Sequence, residues 1–136
     1  MIKYKSEPYT INEIKSLLDY SNNIPIASKG LLRSKEQQIK YEEFKKQTVD
    51  INKYIITEFL NNKLDKDGIL FTKNSFSYFV PNNSKHYLLW SKNTLDSQTI
   101  IETVKNILST EKFIFFENKY SNKTIKKIIH YHIITY

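Results

Sequence analysis

The spacing of apolar side chains predicts helices in the first half of the chain. Thr10 and Glu13 match a capping box, and the apolar positions after them recur at helical spacing, which predicts a first helix over about residues 11–20. Residues 21–30, with Asn, Pro and Gly, predict a loop. Ser34 and Gln37 form a second capping-box pattern. It begins a long predicted helix, which has a candidate interruption near residues 48–50. One face of this helix is predicted to carry Tyr41, Phe44, Thr48, Ile51, Ile55 and Phe59.

The pattern changes to strand spacing after a predicted turn at residues 61–68. Short β-rich runs predict strands at residues 69–71, 76–80, 86–90, 113–116 and 128–134, with turns at 74–75 and 81–84. Asp96 or Ser97 caps a predicted helix that carries Ile100, Ile101, Val104, Ile107 and Leu108 on one face. N-terminal helices followed by a mainly antiparallel sheet with one crossover helix predict an α+β fold.

Length and composition limit the class of protein. The 136 residues are enough for one core, so we expect a single domain over residues 1–136, in which 1–32 are an N-terminal helix and loop and 33–136 are the core. No apolar run approaches the ~18 residues of a membrane span, and the N-terminus lacks a signal-peptide core. We therefore expect no membrane association and a cytoplasmic location. The absence of cysteine excludes disulfides, zinc–thiolate sites and cysteine nucleophiles.

All three histidines of the chain fall in predicted strands. His86 opens one strand, and His130 and His132 lie one residue apart in the last, so those two side chains point to one face. Imidazole can act as general base, nucleophile or metal ligand near neutral pH, which makes the cluster a candidate site. The alternative is that these are half-buried histidines bonded to backbone carbonyls. Glu117 is the only candidate carboxylate companion, so we expect no metal and no cofactor.

A series of motifs at residues 33–37, 41–45, 74–78, 86–91, 116–118 and 130–132 carries a first resemblance. In this order the motifs resemble the family of unknown function that includes the fungal N-acetylglucosamine-induced proteins and members from large DNA viruses. The resemblance covers most of the chain from Arg33 onward. It implies one fold-sized unit without a catalytic assignment, and a host-cytoplasm location if the chain is viral.

The second resemblance is carried by Phe76, Pro81, His86, Leu88, Leu89 and Lys92, the helix predicted near 97–108, and then Asn118, His130 and His132. This order is similar to the histidine-triad nucleotide-binding superfamily. It implies a histidine-triad-like sheet in which His132 holds the position of the nucleophile that attacks an α-phosphate, with His130 and His86 orienting it or binding phosphate. Ile134 stands at the third triad position and Tyr78 at that of the usual ribose-binding acid. Any nucleotide hydrolase or transferase activity should therefore be weak.

We therefore expect a histidine-lined pocket for a nucleotide or other small phosphorylated ligand. The candidate catalytic residues are His132 and His130, and the candidate ligand-binding residues are His86, Asn118, Trp90, Lys92 and Arg33. The competing hypothesis is a non-enzymatic interaction or structural protein, of a virus for example. Rings of His86 and His132 that converge on an open cleft would favour a site. Rings buried against Phe or Ile side chains would favour the interaction protein.

The positive charge is not expected to encode nucleic-acid recognition. The net charge is +7, but Arg33 is the single arginine and the lysines are spread along the chain. A nucleic-acid footprint concentrates charge on one face. We expect weak binding that is lost between ~50 and 200 mM salt, measured by fluorescence anisotropy with labelled DNA and RNA. A submicromolar, sequence-dependent affinity at physiological salt would contradict this prediction.

Overall fold

The computed structural model describes residues 3–47, 68–119 and 129–136. These ranges contain three helices, α1 (Ile11–Ser16), α2 (Lys35–Gln47) and α3 (Ser97–Leu108). They also contain six strands, which are β1 (Leu18–Asp19), β2 (Ile26–Ala27), β3 (Ile69–Lys73), β4 (His86–Ser91), β5 (Phe113–Asn118) and β6 (Ile129–Thr135). The predicted α+β fold class is confirmed. No helix in the described ranges is both long enough and apolar enough to cross a membrane.

The strands form one sheet in the order β1-β2-β5-β6-β4-β3. Neighbouring strands are antiparallel except β2 and β5, which are parallel. Helix α3 connects β4 to β5, and β6 lies between these two strands, so α3 is the predicted crossover helix. The last strand therefore has β4 on one side and β5 on the other. This topology places the two histidines of β6 between a histidine strand and the strand that ends in Asn118.

The two faces of the sheet carry different residues because side chains alternate along each strand. One face packs on α3 through an apolar cluster of Leu89, Ile100, Val104, Tyr131 and Ile133. We call the opposite side the histidine face, and it includes His86, Trp90, Phe116, Asn118, His130 and His132. Part of this face is covered by an apolar cluster that contains Ile14 of α1, Leu31 and Tyr78. The histidine face is thus opposite the crossover helix.

The N-terminal region differs from the sequence prediction. Thr10 and Glu13 form the expected capping box, but α1 ends at Ser16 rather than near residue 20. Leu18 pairs with Ala27 instead, so a strand lies inside the predicted loop at residues 21–30. Burial explains the change, since Leu18 and Ala27 are 7% and 0% exposed in the core beneath α1. Burying these side chains at the sheet edge is favoured over one more turn of helix.

A second difference concerns residues 76–80, which were predicted as a strand and form irregular backbone. Asn74 Oδ1 accepts a hydrogen bond from the Phe76 N–H at 2.8 Å, and the Phe79 N–H donates to the Leu32 carbonyl at 3.0 Å. The backbone groups of this segment therefore have partners outside a strand ladder. The predicted turn at 81–84 is present, with Ser84 N–H donating to the Pro81 carbonyl at 2.9 Å. Strand β3 extends two residues past its predicted end.

The remaining predictions are met in part. Asp96 caps α3 by accepting from the Thr99 N–H, as predicted. Ser34 Oγ accepts from the Gln37 N–H at 3.2 Å, but Gln37 Oε1 has no hydrogen-bond partner among the described residues, so only half of that capping box is present. The continuation of the predicted long helix beyond residue 47, the turn at 61–67 and the start of the last strand at 128 lie outside the described residues.

Candidate functional site

The register of β6 against its two neighbours brings three polar side chains together. Leu88 lies opposite His132 in the β4–β6 pair, so His86 is the diagonal neighbour of His132 on the same face. His86 Nε2 lies 2.9 Å from His132 Nδ1. Phe116 lies opposite His132 in the β5–β6 pair, and Asn118 is the next residue of β5 on this face. The Asn118 amide lies 3.2 Å from His132 Nε2.

Tyr78 joins these side chains into a closed group. Its backbone N–H donates to His86 Nδ1 at 3.2 Å, and its hydroxyl lies 2.9 Å from the Asn118 amide. The Tyr78 ring packs on both imidazoles, with ring centroids 4.8 Å from His86 and 5.3 Å from His132. We call His86, His132, Asn118 and Tyr78 the histidine network. The histidine-triad resemblance put Tyr78 at the position of an acid, and its role in the network was not predicted, because a backbone donor leaves no signal in residue identity.

Burial keeps this network away from water. His86, His132 and His130 are 2%, 4% and 7% exposed. Desolvation, together with smaller contributions from the positive charge of Arg33 and from His130, lowers the pKa of His86 to about 3. Burial raises the pKa of the Tyr78 phenol, against smaller opposite effects of Arg33 and the Asn118 hydrogen bond. His86 and Tyr78 are therefore neutral at physiological pH.

His130 and Trp90 form an aromatic pair beside the network. Their ring centroids lie 4.9 Å apart, and His130 contacts His132 edge-on at 5.4 Å. The Trp90 indole N–H donates to Thr72 Oγ1 at 3.1 Å. Trp90, a candidate ligand-binding residue, is 3% exposed, so its ring is enclosed by protein. The structure brings both predicted residues to the histidine face, with their ring surfaces already in contact.

Arg33 and Lys92 occupy different surroundings. The Arg33 Nε–H donates to the Phe76 carbonyl at 2.6 Å, and the guanidinium lies 3.9 Å from the centre of the Tyr41 ring and 5.1 Å from that of Tyr78. No carboxylate within the described residues forms an ion pair with it. Lys92 is exposed just after β4, with its backbone N–H bonded to the Gly68 carbonyl. Arg33 thus borders the network, whereas Lys92 is joined to it by no contact in the described ranges.

The geometric criterion posed for His86 and His132 is met only in part on the side of a site. The two rings converge within hydrogen-bond distance, but they are 2% and 4% exposed and do not face an open cleft. His132 also stacks on Phe116, with centroids 5.1 Å apart and ring planes 10° apart, which is the burial expected of an interaction protein. The arrangement is therefore an internal hydrogen-bonded network of rings. Proton transfer and ligand contact at these rings both depend on which nitrogens carry hydrogen.

Comparison with known proteins supports the fold. No family model matches the chain, and no curated protein matches it significantly. The crystal structure of HTC1 is similar, with a TM-score of 0.61 and 20% sequence identity over 78% of this chain and 76% of that one. At this identity the similarity concerns the fold alone. The histidine-triad-like order of elements is present, because a histidine strand, a crossover helix, a strand with Asn118 and a histidine strand follow one another.

The low pKa of His86 predicts a pH-dependent stability. The unfolded chain binds a proton at His86 below about pH 6.5, whereas the folded chain does so only near pH 3. The contribution of neutral His86 to the free energy of unfolding is therefore complete above pH 6.5. It is lost as pH falls toward 3, by about 1.4 kcal/mol per pH unit. Urea unfolding between pH 7 and pH 4 measures this slope.

The matched variant is His86→Gln, whose amide can accept from Tyr78 and donate to His132 but does not titrate. We expect a flatter pH profile for this variant than for the wild type. The same slope in both proteins would show that His86 does not bind its proton differently in the two states.

The hydrogen bonds of the network also bear on metal binding. Both ring nitrogens of His86 and His132 lie within hydrogen-bond distance of protein atoms, so a metal ion would have to displace those contacts. The described residues contain no group of three or more His, Cys, Asp or Glu side chains suited to a metal. We expect well under one equivalent of zinc in the purified protein and an unchanged melting temperature with chelator. Stoichiometric zinc by elemental analysis would contradict this.

Proposed function

We propose that the domain binds a small phosphorylated ligand, such as a nucleotide, whose phosphate contacts Arg33 beside the histidine network. The observation that carries this proposal is the state of Arg33, which is partly buried and has no carboxylate partner among the described residues. Partial removal of a cation from water without a counter-ion is unfavourable. A bound phosphate would supply the missing charge.

The geometry around Arg33 suits this role. The Nε–H bond to Phe76 and the contact with the Tyr41 ring fix the plane of the guanidinium. A planar guanidinium in a fixed orientation can bind phosphate or carboxylate through two parallel hydrogen bonds. The histidine-triad-like order of elements supports the choice of phosphate. In this proposal His130 and His132 flank the ligand, and His86 and Asn118 hold His132 in place.

The competing proposal is a non-enzymatic interaction or structural protein in which the histidines only pack. It is supported by the low exposure of the three rings and by the contacts of His132 with Phe116 and His130 with Trp90. Membership of the family that includes the N-acetylglucosamine-induced proteins, a viral source and a cytoplasmic location are compatible with either proposal. Ligand binding separates the two.

Thermal shift and calorimetry with inorganic phosphate, ADP and UDP-N-acetylglucosamine test the proposal. A ligand at about 100 times its Kd adds about 2.7 kcal/mol to the free energy of unfolding. Arg33→Gln should weaken binding by about tenfold to a hundredfold, because it removes a charged hydrogen-bond donor. Arg33→Lys should recover only part of the affinity, since lysine keeps the charge without the planar donor pair.

Lys112→Gln is the matched control, because Lys112 is exposed and precedes β5 at the end opposite Asn118. It removes the same charge and should leave affinity unchanged. Equal loss of affinity in Lys112→Gln and Arg33→Gln would indicate a general charge effect. Absence of binding by all three probes would favour the interaction protein.

A further inference from the structure

The backbone of Tyr78 determines which nitrogen of His86 carries hydrogen. A backbone N–H can only donate, so His86 Nδ1, at 3.2 Å from Tyr78 N, has to be an acceptor. Asn74 does not decide between the two ring nitrogens, because its Oδ1 accepts from the Phe76 N–H and its NH₂ group lies 3.4 Å from both Nδ1 and Nε2 of His86. A neutral His86 with an unprotonated Nδ1 carries its hydrogen on Nε2.

His86 in turn determines the state of His132. The His86 Nε2–H points to His132 Nδ1 at 2.9 Å, so His132 Nδ1 accepts. A hydrogen on that Nδ1 would put two hydrogens between nitrogens at hydrogen-bond distance, which excludes both the imidazolium and the Nδ1–H tautomer of His132. The remaining form of His132 is neutral with hydrogen on Nε2.

The orientation of the Asn118 amide follows from these two assignments. His132 Nε2–H needs an acceptor, and the amide atom at 3.2 Å from Nε2 and 2.9 Å from the Tyr78 hydroxyl has to be the oxygen. Oxygen and nitrogen of a carboxamide have the same shape, and the hydrogen bonds decide between them. The other amide atom has no hydrogen-bond donor near it in the described part of the chain, so an oxygen at that position would be buried without a partner. In the orientation assigned here that atom is the NH₂ group instead.

We propose that the Tyr78 backbone and the Asn118 amide are positioning groups that hold His132 as a hydrogen-bond donor at Nε2. The Nε2–H of His132 is then donated to the Asn118 oxygen, and Nε2 does not attack phosphorus. Attack needs a lone pair on Nε2, so the Nε2 hydrogen would have to move to Nδ1. The His86 Nε2–H already points at Nδ1, and His86 cannot pass a proton on because its own Nδ1 accepts from Tyr78.

The tautomers can be measured without any ligand. In protein labelled with ¹⁵N-histidine, long-range ¹H–¹⁵N correlation spectra should show a protonated Nε2 and an unprotonated Nδ1 for both His86 and His132. Tyr78→Phe removes the phenol and keeps the backbone N–H, so both tautomers should persist. An unprotonated Nε2 on His132 in the wild type would overturn the inference.

The role of Asn118 has its own variants. Asn118→Leu removes the acceptor, so the His132 Nε2–H signal should lose its protection from exchange with solvent, and Asn118→Asp should restore it. Asn22→Leu, at an exposed position, is the control and should leave the signal unchanged. Unchanged exchange of this proton in folded Asn118→Leu would contradict the assigned contact. Recovery of protection in Asn118→Asp, which supplies an oxygen at the same place, distinguishes loss of the acceptor from looser packing.

The expectation that His132 does not attack the phosphate of a bound nucleotide rests on the proposed function and is tested separately. Wild-type protein is incubated with ADP and analysed by mass spectrometry for a nucleotidyl group on His132. We expect binding without an adduct. An adduct on His132 would overturn the inference and leave the binding proposal intact. The assigned tautomers together with no ADP, phosphate or sugar-nucleotide binding would support the inference and remove the proposed ligand.

Discussion

The pairing of β4 with β6 is the constraint on which the histidine network depends. With Leu88 opposite His132, the side chain of His86 reaches His132 diagonally. A shift of one residue would turn one set of imidazoles to the opposite face of the sheet. There it would meet Ile100 and Val104 of α3, which already pack on Leu89, Tyr131 and Ile133 from the same strands. Apolar packing behind the sheet thus fixes the register that holds the polar network in front.

The irregular segment over residues 76–80 completes the network. A buried donor or acceptor without a partner costs about 1–3 kcal/mol, so two imidazoles in a core need partners at defined positions. In a regular strand the Tyr78 N–H would pair within a ladder. Here it bonds to His86, while the Phe76 carbonyl accepts from Arg33 and the Phe79 N–H bonds to Leu32. The same departure from strand geometry therefore satisfies His86 and fixes Arg33 beside Tyr78.

The sequence was informative where one local rule decides the structure. Strand alternation placed His130 and His132 on one face, and the Asp96 cap located the start of α3. Local rules failed where distant partners decide. The Phe76–Val80 run is rich in β-forming residues, but its backbone bonds to Leu32, Arg33 and His86, which are far from it in the chain or on another element. Likewise, apolar spacing at Leu18 fits a helix or a short strand, and only the pairing with Ala27 distinguishes them.

Ile134 shows why a histidine-triad-like order of helices and strands does not imply histidine-triad catalysis. The side chains at positions 130, 132 and 134 of β6 form one row on the histidine face. Where a third imidazole would stand, Ile134 lies fully buried in the apolar cluster that contains Ile14 of α1 and Ile114 of β5. Along this row, His130 contacts Trp90, His132 is hydrogen-bonded to His86, and Ile134 lies in the core. Fold similarity does not determine function, which depends on the residues of the site. The Tyr78 N–H fixes the hydrogens of His86 and His132. These rings are therefore better suited to binding a ligand than to transferring protons during its cleavage.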